Sequence, residues 1–261
     1  MPSIDMGFII WIYPFHAEPL YLKPDQGRFY FYLRVVLSSD PSSGNCIVMT
    51  MHVHDNIISF ARVGDERWNL LHAEKFCYDY DDFFYQKKDG LFYAIRQTSE
   101  VHTIDFNGPY PVVKIILKAT ASYSDAKYIV HAPWVDVLQV RRDDDYLKED
   151  DARTAEVVVY KMDFVEQKIL EVKDLQGYAL FIGLNSSFFF LPTKDFSMIK
   201  PNCVYHTDDN MEYIYCKRYS PRHVVEINLQ DGSISDLWPS PNPWSNWPPP
   251  VWLIPSRYSC K

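Results

Sequence analysis

The sequence predicts an all-β protein, and three observations lead to that prediction. Short runs of Val, Ile, Tyr, Phe and Trp recur along the 261 residues, and aromatic residues make up 16% of the chain. Asp-Gly, Asn-Gly and proline positions separate those runs, and the 18 prolines are spread widely. Few stretches are long enough, and free enough of strand-forming residues, to favour a helix. Apolar runs bounded by turn residues are typical of strands.

The spacing of the runs indicates a propeller rather than an open sheet. About nineteen strands can be counted, as expected of an all-β protein. Four strands to a blade then predict a β-propeller of about five blades, either closed or incomplete and open. The clear strand candidates are residues 29–37, 46–53, 57–63, 91–96, 101–105, 112–117, 128–132, 136–140, 156–162, 169–172, 178–182, 188–191, 203–207, 224–228, 233–237 and 251–254.

A weak repeat supports the same fold. Its unit is a strand, a short break and a second strand, and the clearest copy begins with an Asp-Gly turn and an aromatic strand. One four-stranded blade cannot bury both of its faces alone, so repeated units must stack around a ring. The copies are residues 89–95 with 100–106, residues 127–131 with 136–140, and residues 203–206 with 224–228.

The chain is predicted to form one domain. Residues 1–30 are an N-terminal segment that joins the propeller, and residues 31–261 form the propeller itself. The charged stretch 141–151 is interpreted as a loop. Residues 238–250, which hold three of the seven tryptophans and six prolines, are interpreted as a closing tail.

Charge and cysteine content limit the function. Acidic residues outnumber basic ones by 34 to 26, a net charge of −8, which argues against a nucleic-acid or anionic-membrane partner. No apolar run approaches the ~18 residues of a membrane span. The five cysteines are odd in number and contain no Cys-x-x-Cys pair. We therefore expect reduced cysteines and a location in the cytoplasm or nucleus.

Two groups of residues could bind a metal, and for both a structural role is favoured. His52 and His54 share one face of a strand at a spacing that zinc sites use. Nothing in the sequence marks a further ligand, so polar strand positions are the better interpretation. The acidic residues of 143–151 lack the ligand spacing and central glycine of a calcium loop, which favours a solvated loop or a contact for a basic partner.

The remaining carboxylates are also predicted to have structural rather than catalytic roles. Asp79, Asp81 and Asp82 indicate a polar rim, and Asp208 and Asp209 indicate a turn. No Gly-x-Ser-x-Gly, Gly-x-Gly-x-x-Gly or P-loop motif is present, although a cysteine could meet a histidine by chance. We predict no enzyme, no catalytic residue, no metal and no cofactor.

Several motifs occur in an order that resembles one known family. They are VVLSSDP at 35–41, FARVGD at 60–65, KDGLFY at 88–93, DARTAE at 151–156, ALFIGLNSSF at 179–188, KPNCVY at 200–205, NLQDGS at 228–233 and PPPVWLIPS at 248–256. Together they resemble the plant DUF295 domain, also called the KIB-type β-propeller of plant F-box proteins. The resemblance covers most of the chain, from about residue 30 to residue 256.

The resemblance implies a role in ubiquitin ligases. Family members typically carry an N-terminal helical F-box that docks on a Skp1-like adaptor of a cullin ligase, and the propeller presents the degradation substrate. No F-box pattern precedes the propeller motifs in this sequence. We expect either a trimmed chain or a natural protein without the box, and adaptor binding only in the first case.

Three functional hypotheses follow. The first is a non-catalytic interaction propeller that recognises the substrate of an F-box ubiquitin ligase. The second is a binding or decoy protein without an F-box that sequesters its partner, and the third is an enzyme with a site in a central channel. Candidate partner contacts are Tyr80, Trp134 and Trp244, because large aromatics in apparent loops often anchor partners. The tail tryptophans are otherwise expected to seal the last blade.

Overall fold

The computed structural model describes ten stretches of the chain, and their regular structure is almost entirely β. These are residues 8–10, 20–22, 33–52, 56–71, 79–120, 124–145, 153–192, 194–209, 224–237 and 251–253. They hold nineteen strands and two 3-10 helices. Contacts divide the chain into two compact units, Met1–Ile129 with Asp163–Lys168, and Val130–Met162 with Ile169–Lys261.

The first strands form a separate ladder and a four-stranded sheet. The ladder pairs β1 (Phe8–Ile10) with β2 (Leu20–Leu22) in antiparallel fashion. The first sheet is the meander β3 (Arg34–Leu37), β4 (Ile47–Met51), β5 (Ile58–Arg62) and β6 (Asn69–Leu70). A 3-10 turn at Pro41–Ser43, capped by the Asp40 side chain, leads from β3 to β4.

The second sheet is also an antiparallel meander, and it follows the hydrophobic pattern closely. Its strands are β7 (Tyr80–Gln86), β8 (Leu91–Arg96), β9 (Val101–Asp105) and β10 (Val112–Leu117). Gly90 follows Asp89 in the β7–β8 hairpin and has a φ of 76°, a conformation that glycine adopts at little cost. One apolar core joins this sheet to the first through residues such as Met49, Phe60 and Phe92.

The third and fourth sheets complete the fold. The third consists of β11 (Ala126–His131), β12 (Val137–Asp145), β13 (Arg153–Asp163) and β14 (Lys168–Glu171), in that order. The fourth contains β15 (Ala179–Ile182), β16 (Phe188–Phe190), β17 (Cys203–Thr207), β18 (Val224–Asn228) and β19 (Ile234–Asp236). Its order is β16-β15-β17-β18-β19, and β15 runs parallel to β17.

The described strands form four blade-sized sheets, so the prediction of about five blades is wrong. The strand count agrees, because nineteen strands are present. However, two of them pair apart as the β1–β2 ladder, and the fourth sheet takes five strands instead of four. The repeat is confirmed, because its three copies are neighbouring strands: β8 with β9, β11 with β12, and β17 with β18.

The charged stretch 141–151 is not a loop over its first half. Residues Arg141 to Asp145 continue β12 and pair with β13, as in Arg141 opposite Val158. The later residues 146–152 and the tail 238–250 lie outside the described residues. Among the described residues, no helix has the length and apolar character needed to cross a membrane. How residues 1–30 join the rest stays a prediction.

Candidate functional site

Buried charged residues gather at one end of each sheet. In each of the first three sheets, this is the end at which the second strand finishes and the third strand begins. The first strand also begins at this end, because neighbouring strands are antiparallel. In the fourth sheet it is the end where β17 passes into β18. We call these the charged ends. The buried charged or titratable side chains near them are Arg34, Asp82, His102, Lys127, Arg142, His206, Asp208 and Glu226.

Within the first unit, Asp82 of β7 bonds one residue of β3 and one of β11. Its Oδ1 lies 2.8 Å from an Arg34 guanidinium nitrogen, and the two side chains are only 1% and 6% exposed. The carboxylate also accepts the backbone N–H of Phe83 at 2.6 Å and of Ile129 at 3.0 Å. Charge-assisted bonds of this kind compensate a buried carboxylate. Asp82 is therefore a structural centre, and its predicted place on a polar rim is wrong.

A second buried chain of hydrogen bonds runs through His102. The Tyr80 hydroxyl lies 2.7 Å from His102 Nδ1, and Glu100 Oε1 lies 2.7 Å from His102 Nε2. Arg96 donates to the same Glu100 oxygen at 3.2 Å. An ionised carboxylate only accepts, so Nε2–H donates to Glu100 and Nδ1 accepts the tyrosine proton. This arrangement satisfies a neutral imidazole.

We expect the free energy of unfolding to decrease as the pH falls, and we expect His102 to cause part of this decrease. Burial lowers the pKa of His102, and Glu100 opposes that shift only in part. The unfolded chain then binds the proton first, so stability is lost as pH falls below about 6.5, the ordinary histidine value. Urea unfolding at pH 8 and pH 5 should show a larger loss for the wild type than for His102→Gln. Equal losses in both proteins would contradict this assignment.

The second unit has its own charged cluster around Arg142. Arg142 pairs with Asp144 on its own strand, and it reaches Asp209 Oδ1 at 2.9 Å. His206 Nε2 lies 3.5 Å from the same oxygen, and its Nδ1 lies 3.3 Å from the Thr154 hydroxyl. The cluster joins the ends of β12 and β17 to the start of β13. The Asp209 carboxylate pairs with Arg142, and a turn at Asp208 and Asp209 stays a prediction, because residues 210–223 lie outside the described residues.

These clusters hold strand ends in place. Opposite charges lie against each other with little exposure, and such pairs are costly to break. Burial raises the pKa of the Cys203 thiol, which disfavours the nucleophilic thiolate. Within the described ranges no three potential metal-ligating side chains come together. His52 Nε2 lies 2.7 Å from the Ser59 hydroxyl, and His54 lies outside the described residues.

The three predicted partner contacts have different positions. Tyr80 lies in β7 with 1% exposure, so the premise that it stands in a loop is wrong. Trp134 does lie in the turn between β11 and β12, where it is half-buried, donates to Asp136 Oδ2 at 3.0 Å and packs edge-on against Phe189. Trp244 lies outside the described residues. For Trp134 and Trp244 a partner contact stays a prediction.

Trp252 packs on the fourth sheet, as predicted for the tail tryptophans. Its ring meets Phe181 edge-on at 4.9 Å between centroids, and its Nε1 donates to the Ile182 carbonyl at 2.8 Å. The Asn185 side chain bonds both the N–H and the carbonyl of Trp252, at 3.1 Å and 3.0 Å. Trp238 and Trp247 lie outside the described residues.

Sequence reasoning missed the charged ends, although one signal was present. Arg34 and Lys127 each stand in a strand of mostly apolar residues, where a charge needs a buried partner. The partners are far away in sequence, 48 residues for Arg34 with Asp82 and 67 for Arg142 with Asp209. The spacing of charges along one strand does not reveal such pairs.

Comparison with known proteins identifies the family. The family model described as KIB1-4 beta-propeller matches residues 5–228. No curated protein matches the chain. The match confirms the resemblance to the KIB-type propeller, and the described strands form four blade-sized sheets. The chain therefore belongs to the KIB1-4 beta-propeller family.

Proposed function

We propose that this protein is a non-catalytic interaction propeller and serves as the substrate-recognition part of an F-box ubiquitin ligase. The observation that carries the proposal is the family match over most of the chain. Propellers of interaction families bind partners through connections that leave rigid sheets. The ubiquitin chemistry would then take place elsewhere, on the ligase subunits.

The charged ends support a binding role. Asp82 and Arg142 fix strand ends from which connections leave, and a rigid support lowers the ordering cost of binding. The connections between β12 and β13 and between β17 and β18 leave from these ends. We propose that partner proteins bind at these ends, in the cytoplasm or the nucleus.

Affinity purification of the tagged natural full-length protein from plant tissue tests the ligase role. We expect a Skp1-like adaptor and a cullin to be recovered with it, and a tagged fluorescent protein to recover neither. A degradation substrate should also accumulate on the bait when the proteasome is inhibited. Recovery of a partner without adaptor or cullin, at a level that proteasome inhibition leaves unchanged, would contradict the ligase role and support the decoy hypothesis.

A further inference from the structure

The third sheet has a long strand whose outer neighbour is short. On one side β13 pairs with β12 from Arg153 to Lys161. On the other side, β14 has only four residues. One backbone hydrogen bond follows it, in which the Val172 N–H donates to the Val159 carbonyl at 2.8 Å. Among the described residues no strand continues alongside β13 past that point. An edge of about six residues, Arg153 to Val158, or about 20 Å, therefore precedes Val159 in the strand.

The direction of the peptide groups along this edge follows from strand geometry. In an antiparallel strand the N–H and C=O of one residue point to the same side, and the side alternates with each residue. The Val159 carbonyl points toward β14. The peptide groups of Val157 point the same way, so they face the side where β14 has ended. Val157 can therefore bond an added strand, while the register shift between Asp143 and Asp144 leaves Ala155 as an extra residue that interrupts the alternation.

A cavity of about 380 Å³ lies against this edge. Its volume is in the range of pockets that enclose a ligand. Every residue of its wall belongs to the second unit. The wall is formed by Ala155, Glu156, Val157, Val158, Val159, Glu171, Val172, Lys173, Ile227, Leu229, Gln230, Asp231 and Gly232.

The rim of the cavity is acidic. Glu156, Glu171 and Asp231 are exposed carboxylates, and hydrogen bonds from Ser233 lower the pKa of Asp231, which keeps it ionised. Lys173 is the one basic residue of this wall, and its ammonium lies 3.4 Å from Glu171. The wall thus keeps an excess of negative charge beside half-buried apolar side chains such as Val158 and Val172.

The open edge of β13 and the cavity beside it are together called the groove. We propose that the groove binds an extended segment of a partner protein as an added strand beside β13, and that the segment alternates apolar residues with Lys or Arg. Strand addition to an open edge supplies backbone hydrogen bonds, and side chains on alternate positions supply specificity. The carboxylates favour cationic side chains and disfavour acidic ones. The inference rests on the proposed interaction function and names a surface and a partner chemistry for it.

Fluorescence anisotropy with the full chain tests the proposal. The probe is a labelled eight-residue peptide of alternating valine and lysine. One control peptide replaces lysine by glutamate, and another carries N-methyl groups on alternate residues, which removes the donors needed for strand pairing. We expect the valine–lysine peptide to bind at least about tenfold more tightly than either control, because charge and backbone pairing both contribute.

Protein variants locate the binding surface. The double variant Glu156→Lys with Glu171→Lys should weaken binding of the valine–lysine peptide by about tenfold or more, since it turns two attractions into repulsions. Glu166→Lys, an exposed residue of the β13–β14 turn outside the cavity wall, should change it by less than about twofold. Circular dichroism checks that both variants remain folded.

The results of these binding experiments test the groove and do not test the ligase role. Equal binding of the N-methylated peptide would overturn strand addition, and an unchanged affinity of the double variant would overturn the site. Neither result depends on whether an adaptor or a cullin is recovered from tissue. Failure of the groove and failure of the ligase role can therefore be told apart.

Discussion

Replacement of Asp82 by alanine is expected to lower the free energy of unfolding by about 3–5 kcal/mol, because the buried Arg34 charge loses the carboxylate that it pairs with. The Arg34 side chain is 6% exposed and would lose the carboxylate 2.8 Å away. The backbone N–H groups of Phe83 and Ile129 would lose their acceptor as well. Urea unfolding followed by tryptophan fluorescence and circular dichroism measures the change.

An exposed ion pair provides the matched control. Lys161 lies 2.9 Å from Asp136, and the two side chains are 44% and 28% exposed. Lys161→Ala removes this pair and leaves the bond from Trp134 to Asp136 in place, so it should cost no more than about 1 kcal/mol. The double variant Arg34→Met with Asp82→Asn should recover at least half of the Asp82→Ala loss, since both charges of the buried pair are removed. Similar losses for Asp82→Ala and Lys161→Ala would show that the buried pair has no special role.

Gly183→Ala is expected to destabilise the fourth sheet by about 2–3 kcal/mol through overpacking. Gly183 follows β15 with a φ of 153°, and an added Cβ would collide with the Thr207 hydroxyl and lie 3.3 Å from the Thr207 carbonyl oxygen. The carbonyl belongs to β17 and cannot move without disturbing the sheet. Thermal unfolding of the purified variant measures the effect.

Gly232 offers a comparison without a collision. Its φ is 72°, and nothing lies within 4 Å of an added Cβ. Gly232→Ala should therefore cost only the strain of a left-handed residue, about 1–2 kcal/mol. Adding Thr207→Ala to Gly183→Ala should restore part of the lost stability, because the hydroxyl is removed. If the second substitution restores nothing, the collision is not the cause of the loss.

Strands with local pairing could be predicted from the sequence. The predicted ranges 91–96, 101–105 and 112–117 coincide with β8, β9 and β10. Here the apolar pattern and the turn residues agree with each other, and each strand pairs with the next one along the chain. Blade number was harder, because assigning strands to sheets depends on contacts between distant residues.

Features that depend on distant contacts could not be predicted. The end of β12 was interpreted as a loop because three aspartates follow two arginines, and this local pattern favours solvent. In the structure Arg142 offsets part of that charge by pairing with Asp144 and Asp209. The parallel pairing of β15 with β17 likewise has no local signal. The site depends on such contacts, so the sequence indicated its residue types but not their partners.

The contact between Asn185 and Trp252 has a consequence for the order of folding. The first two sheets are built from hairpins and can form soon after each segment leaves the ribosome, since local contacts close short loops. The fourth sheet holds Trp252 through a residue 67 positions earlier. Until residue 252 has been synthesised, Phe181 lacks its covering ring, so the last sheet is completed late in translation.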